Sequence, residues 1–254
     1  MTAPEDPVTP QIIPRPLSAR PGRDAPWATL EPERRRGIGL ARVAAALEAG
    51  GFGLPIPDGP LAGPPHASPV FDGAAVAGRL PVGAAVLVAL FEESGETRVV
   101  LTRRSAQLRS HTGQVSFPGG KLDPGENALE AALREGEEEV GLPADASSPA
   151  GWLRPASSFA SGSLIMPVVT TLGHRPELVA SPAEVDRVFD VALCDLLDEG
   201  VFHEERWSRP ERRNPEVADG SYPLWFFDVA GETIWGVTAA LLLDLLCVVL
   251  DLAP

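Results

Sequence analysis

The chain has few of the residues that staple a small protein or carry it across a membrane. Only two of its 254 residues are cysteine, Cys194 and Cys247, and neither has a CxxC partner. A disulfide framework and a zinc ribbon are therefore not expected, which fits a reducing compartment. The four histidines (His66, His111, His174, His203) are scattered without ligand spacing. Lys and Arg total 21 against 35 Asp and Glu, a net charge of −14. No broad basic stripe can neutralise a phosphate backbone, so a nucleic-acid surface is not expected. No apolar run reaches the ~20 residues of a membrane span. Thr238 to Leu252 is interrupted by Asp244 and Asp251 and reads as a buried C-terminal helix. Near Met1 there is no secretory apolar segment, and the other end carries no anchor or peroxisomal signal, so the expected location is cytoplasmic.

Apolar residues make up 44% of the chain, ample for a core. The expected division is an N-terminal extension over residues 1–78 and a main domain over 79–254. Met1 to Leu30 is Pro-rich and reads as a draped or mobile arm. Glu31 to Ala49 reads as a helix ended by Gly50-Gly51, and a Gly/Pro-rich connector follows. Ala84 to Phe91 and Thr97 to Thr102 are β-branched, apolar runs around an acidic turn, a hairpin. Arg103 to Ser116 is expected to be a loop. Leu164 to Leu172, Arg187 to Val191 and Tyr222 to Val229 read as further strands, with a short helix near Leu193 to Leu197. There is no internal repeat. A mixed β-sheet sandwiched between α-helices, an α/β fold, follows from this order.

Between the hairpin and the later strands lies GGKLDPGENALEAALREGEEEVGL, Gly119 to Leu142. Asn127 with Glu130 three residues on is a capping box, and Gly141 and Pro143 stop the helix. Leu129, Ala132, Leu133, Gly136 and Val140 form an apolar face. Gly136 on that face suggests a close helix–sheet approach. Glu135, Glu138 and Glu139, at i, i+3 and i+4, converge on another face in the last turn, where the helix dipole is already negative. A hard divalent cation such as Mg²⁺ or Mn²⁺ resolves that repulsion with oxygen ligands. Most Glu runs are simply solvated faces, and Glu137 reads as one. Arg134 is placed to pair with and orient the carboxylates around it.

The spacing G-x5-E-x7-R-E-x-x-E-E-x-G-[apolar], through Gly120, Glu126, Arg134, Glu135, Glu138, Glu139, Gly141 and Leu142, resembles the signature of the Nudix hydrolases. Upstream, Val100-Leu101-Thr102-Arg103-Arg104-Ser105, Arg109, Gly113 and Phe117-Pro118-Gly119-Gly120 resemble the added signature of the coenzyme A pyrophosphatase branch, with Val100 in place of a leucine. The two motifs run without a gap from Val100 to Leu142. The resemblance implies a Nudix fold over residues 79–254. It further implies hydrolysis of the diphosphate of coenzyme A or its derivatives to 3′,5′-ADP and 4′-(acyl)phosphopantetheine. It implies Mg²⁺ or Mn²⁺ held by Glu135, Glu139 and Glu138, with Glu126 supporting the metal shell. Glu135 is a candidate base or ligand, and Glu184 is the second choice for the base. The catalytic candidates are thus Glu135, Glu138, Arg134 and Glu184.

The upstream motif is a cationic loop in an acidic protein. Arg103, Arg104 and Arg109 are candidates for phosphate contact, against the alternative that they pair with local Glu side chains. His111 either donates to phosphate or holds the loop together. Gly113, Gly119, Gly120 and Gly125 serve backbone geometry, with Gly120 at the edge of the substrate site. The expected partner is a small diphosphate, with no nucleic acid and no membrane; a homodimer is left open. Two alternatives stand beside this reading. One is a Nudix hydrolase of ADP-ribose, a dinucleotide or a nucleoside triphosphate. The other is a non-catalytic Nudix-like binding module, which would be expected to lack the metal carboxylates that are all present here.

Overall fold

The computed structural model describes residues 11–57, 82–108, 111–158, 163–208 and 221–253. The expected boundary between residues 78 and 79 lies outside them, as does Arg109. In chain order the first elements are β1 (Arg20–Pro21) and α1 (Leu40–Ala49). Next come β2 (Val82–Glu93), β3 (Glu96–Arg104), β4 (Val115–Ser116), β5 (Gly119–Lys121) and α2 (Ala128–Val140). They are followed by β6 (Ser147–Trp152), β7 (Ala156–Ser158), β8 (Ser163–Leu172) and β9 (Val185–Ala192). The chain closes with β10 (Phe202–Ser208), β11 (Ser221–Val229), β12 (Glu232–Trp235) and α3 (Val237–Leu250).

An eight-stranded mixed sheet runs β4-β3-β2-β8-β6, with β5 against β2, β7 against β8 and β9 against β3. The β2–β8 pairing is parallel. A parallel neighbour needs a crossover connection, and α2 lies within it. Strand alternation then divides the core in two. Ala85, Leu87, Ala89 and Phe91 of β2 face α2, where they meet Ala128, Ala131, Ala132 and Val140. Val88 and Leu90, between them in sequence, face the other way. There they join Val43 and Leu47 of α1, the leucines of α3, and Trp225, Phe227 and Ile234 from a second sheet. That sheet has four strands in the order β1-β10-β11-β12. The result is the expected α/β sandwich, with α2 on one face of the main sheet and α1 and α3 on the other.

Several expectations are corrected. The helix expected over Glu31 to Ala49 starts only at Leu40; a 3-10 turn covers Pro32–Arg35, and Gly37 at φ 62 breaks the path. The donors freed there are taken by the acidic hairpin turn. Glu96 accepts from the N–H groups of Gly37 (2.7 Å) and Ile38 (3.1 Å), and Glu92 accepts from that of Leu40 (2.8 Å). The segment expected as a loop from Arg103 starts inside β3 and ends as β4, which pairs with β3. β10 was not expected, because His203, Glu204, Glu205 and Arg206 hide its strand character; seven residue pairs with β11 hold it. In α3 the buried Asp244 accepts from the Arg154 N–H at 3.1 Å and pairs with the Arg154 guanidinium. No helix among the described residues is long and apolar enough to cross a membrane.

Candidate metal and substrate site

The capping box at the start of α2 is present in full: the Asn127 side chain accepts from Glu130 N–H, and Glu130 accepts from Asn127 N–H. At the other end Gly141 adopts the left-handed conformation (φ 68) that closes the helix. The buried face of α2 is rotated from the expected one. Ala128, Ala131, Ala132, Gly136, Glu139 and Val140 are buried, while Leu129 and Leu133 are only partly so. Small residues occupy the centre of the contact because α2 lies close to the sheet: a Cβ on Gly136 would stand 2.5 Å from Leu87 Cδ2. The rotation carries Glu139 under the surface, where it is 2% exposed.

Two guanidinium groups hold the four carboxylates of the acidic motif. Arg134 donates from Nε to Glu126 (2.8 Å) and from Nη1 to Glu135 (3.0 Å) and Glu138 (3.1 Å). Its Nη2 donates to Glu126 (3.1 Å) and to the Lys121 carbonyl (3.0 Å). These bonds, with the Asp123 N–H, hold the Glu126 carboxyl below the ordinary range, and they raise Arg134. Glu138 is 62% exposed at its side chain and leans on Arg134. Glu139 has a different cation: Arg104 Nη1 approaches its Oε1 at 3.5 Å from β3. Its other oxygen accepts from Gly119 N–H at 3.2 Å.

Glu135 and Glu139 are the perturbed pair. Burial raises Glu135, against Arg134, with Glu138 and Glu184 adding repulsion. Burial also raises Glu139, to about 7, against Arg104 and the Gly119 amide, with Glu135 and Glu184 again adding repulsion. Glu184 is thus brought to the same site from the segment before β9. That segment is hooked onto the end of α2, where Val179 N–H donates to the Val140 carbonyl and Ser181 N–H to the Glu139 carbonyl, both at 2.9 Å. Sequence reading missed these two residues. The one available signal was general: the last carbonyls of a helix need donors, and nothing local says which.

The remaining candidates separate. Gly120 lies directly against the Glu135 carboxylate, which occupies the space a Cβ would need. Arg103 points away from the site, as the residue next to Arg104 on a strand must. Its Nη1 donates to both oxygens of the buried Glu232 at 3.2 and 3.0 Å. His111, at φ 58, bonds Gln114 Oε1 at 2.8 Å within its own turn.

The donor set suits a hard cation. Glu135 and Glu139 offer carboxylate oxygens in a site where burial has already raised both groups, and a divalent charge would offset that penalty. Among the described residues no three His, Cys, Asp or Glu groups stand ready-made as a coordination cluster. Glu126, Glu135 and Glu138 are all engaged by Arg134, so Glu138 or Glu126 would join only by loosening that contact.

Comparison of the sequence with known proteins points to one family. The NUDIX domain model matches residues 81–210. A protein of Photorhabdus laumondii named "Uncharacterized Nudix hydrolase NudL" is 38% identical over 160 residues, covering 63% of this chain and 80% of the relative. Its namesake in Yersinia enterocolitica is 38% identical over 148 residues, 58% of this chain and 71% of the relative. Among solved structures, RenU, a Nudix hydrolase of M. smegmatis, has a TM-score of 0.40 at 23% identity, covering 46% of this chain and 74% of that one. The C. elegans Ap4A hydrolase has a TM-score of 0.39 at 22% identity, covering 43% and 80%. With a helix that gathers the spaced carboxylates of the motif and a matching domain model across it, the chain belongs to the Nudix family.

Proposed function

We propose that this chain is a divalent-metal-dependent hydrolase that cleaves the diphosphate of coenzyme A or its derivatives into 3′,5′-ADP and 4′-(acyl)phosphopantetheine. The observation that carries the reading is the approach of Arg104 to Glu139 at 3.5 Å. It joins the two halves of the sequence pattern, the upstream arginine motif and the acidic helix, into one site.

Glu135 and Glu139 hold the cation, Glu138 completes the set, and Glu126 supports it through the loop it shares with Asp123. When bound, an ion of the Mg²⁺ or Mn²⁺ kind neutralises charge on the diphosphate oxygens and lowers the pKa of a coordinated water. Arg134 orients Glu135 with a 3.0 Å bond. Glu135 is a candidate base as well as a ligand, and Glu184, close enough to raise both Glu135 and Glu139, is the second choice for taking the proton of the attacking water. Arg104 contacts a phosphate oxygen. Arg109 is proposed beside it on the resemblance alone. Arg103 enters as the anchor of that motif on Glu232.

Hydrolysis of coenzyme A, acyl-coenzyme A, NADH and ADP-ribose should be compared with Mg²⁺ and with Mn²⁺. Preference for the coenzyme A group is expected; indifference among the four removes the substrate claim and leaves a general Nudix diphosphatase. Glu139→Gln should abolish metal-dependent turnover while the circular dichroism spectrum stays that of the parent. Full activity in that variant would show the ligand set to be wrong.

A further inference from the structure

The arginines around the acidic helix are held to very different degrees. Arg134 spreads its fork over three carboxylates and a carbonyl. Arg103 is buried and doubly bonded to Glu232. Arg104 is neither. Its backbone is fixed, N–H to the Gln114 carbonyl at 2.9 Å and carbonyl to Gly113 N–H at 3.1 Å. Its side chain is 25% exposed and reaches one oxygen of Glu139 at 3.5 Å. Among the described residues that approach is the one ion pair its guanidinium makes, and its side chain donates no hydrogen bond. The least exposed carboxylate of the motif is therefore balanced by the least tethered of these three arginines.

We propose that Arg104 is a placeholder cation. It balances Glu139 while no metal is bound, and gives Glu139 up when a divalent ion takes that carboxylate. Its guanidinium is then free for a phosphate oxygen of the substrate. The proposal rests on the metal-dependent diphosphate reading above. Two physical facts favour the exchange. A divalent charge on Glu139 repels a guanidinium beside it and outbids it for the same oxygen. A diphosphate then offers that guanidinium the planar, paired acceptors that a single distant carboxylate oxygen does not. Metal binding and phosphate binding become coupled through one side chain, each favouring the other. In the metal-free protein the arginine is self-paired, which limits unproductive capture of phosphates.

The test reads metal affinity rather than turnover. Mn²⁺ binding to the full chain is measured by calorimetry for the parent, Arg104→Gln and Arg104→Lys, each alone and with saturating methylenediphosphonate, which cannot be hydrolysed. Without the diphosphonate, Arg104→Gln is expected to bind Mn²⁺ about fivefold more tightly than the parent, the worth of a partly screened ion pair. With it, Arg104 has already moved to the phosphonate, and the gap should close to within about twofold. Equal affinities in the first condition, or an undiminished gap in the second, overturn the proposal; the latter describes a fixed neighbour that merely repels the metal. Should Arg104→Gln not fold, Arg104→Lys carries the test, because it keeps the charge without the planar fork. Its Mn²⁺ affinity should stay within about twofold of the parent, while the Mn²⁺-loaded protein binds the diphosphonate about fivefold more weakly. A change in the first quantity or none in the second overturns the exchange. No Mn²⁺ uptake by any of the three sinks the metal-dependent reading and the proposal with it, whereas normal uptake by the parent with the wrong pattern in the variants sinks the proposal alone.

Discussion

Glu139 sits almost out of water, with two further carboxylates beside it and one loosely held arginine opposite. Burial first, then Glu135 and Glu184, raise it to about 7. Glu139 is therefore ionised in the folded protein only against a penalty that Arg104 and the Gly119 amide partly offset. Its contribution to stability is full below the ordinary carboxylate range and is lost as pH rises through about 7. Urea unfolding of the metal-free protein at about pH 5 and about pH 8 should show this loss, and Glu139→Gln should remove that part of the pH dependence. An unchanged pH profile in the variant would mean that Glu139 titrates normally. Gly120 offers a second test at the same scale. Its backbone is not among the left-handed positions, so alanine is tolerated by conformation, but the new Cβ would collide with the Glu135 carboxylate. Gly120→Ala should lower metal-dependent turnover by about 10- to 100-fold, as displaced metal-site partners do, with little change in melting temperature.

At the scale of elements, α2 was readable in the sequence because its signals are local. Asn127 with Glu130 and Gly141 act within a turn of the residues they cap. The rotation of its buried face was not readable. Leu129 and Leu133 lose the centre of the contact to alanines and Gly136, because a close approach to β2 leaves no room for larger side chains. Gly136→Ala therefore tests the packing. Alanine in a helix interior gains about 1 kcal/mol over glycine. Pressing a methyl into Leu87, itself fully buried, costs about 1–3 kcal/mol. The net expectation is destabilisation of about 1 kcal/mol, measured by urea unfolding; a more stable variant would mean that Leu87 has room to turn. Strand alternation explains a second limit. Arg103 and Arg104 look equivalent as neighbours in a motif, yet one faces Glu232 and the other Glu139. Glu232 lies 129 residues from Arg103, and no spacing announces it.

For the molecule as a whole, residues before the family match are built into its core. Trp27 is 2% exposed and packs edge-on to Phe202 at 5.2 Å and stacked on Phe227 at 6.3 Å between ring centroids. Ile38, Val43 and Leu47 share the same cluster with α3. Trp27→Ala should cost about 3–5 kcal/mol in urea unfolding, the range for a buried aromatic cut to alanine. A loss below about 1 kcal/mol would show that the segment is only draped over the domain.

By itself the sequence determined the acidic helix with its caps, the β2–β3 hairpin and the buried C-terminal helix, and it supplied the residue types proposed for a divalent-cation site. Each of these is written in contacts a few residues apart or in the periodicity of one element. The tertiary structure decided which arginine faces which carboxylate, how the segment before β9 delivers Glu184, and that Trp27 belongs to the core. Those outcomes depend on pairs tens to more than a hundred residues apart, or on the angle at which a helix meets a sheet, and both are set by packing the whole chain at once.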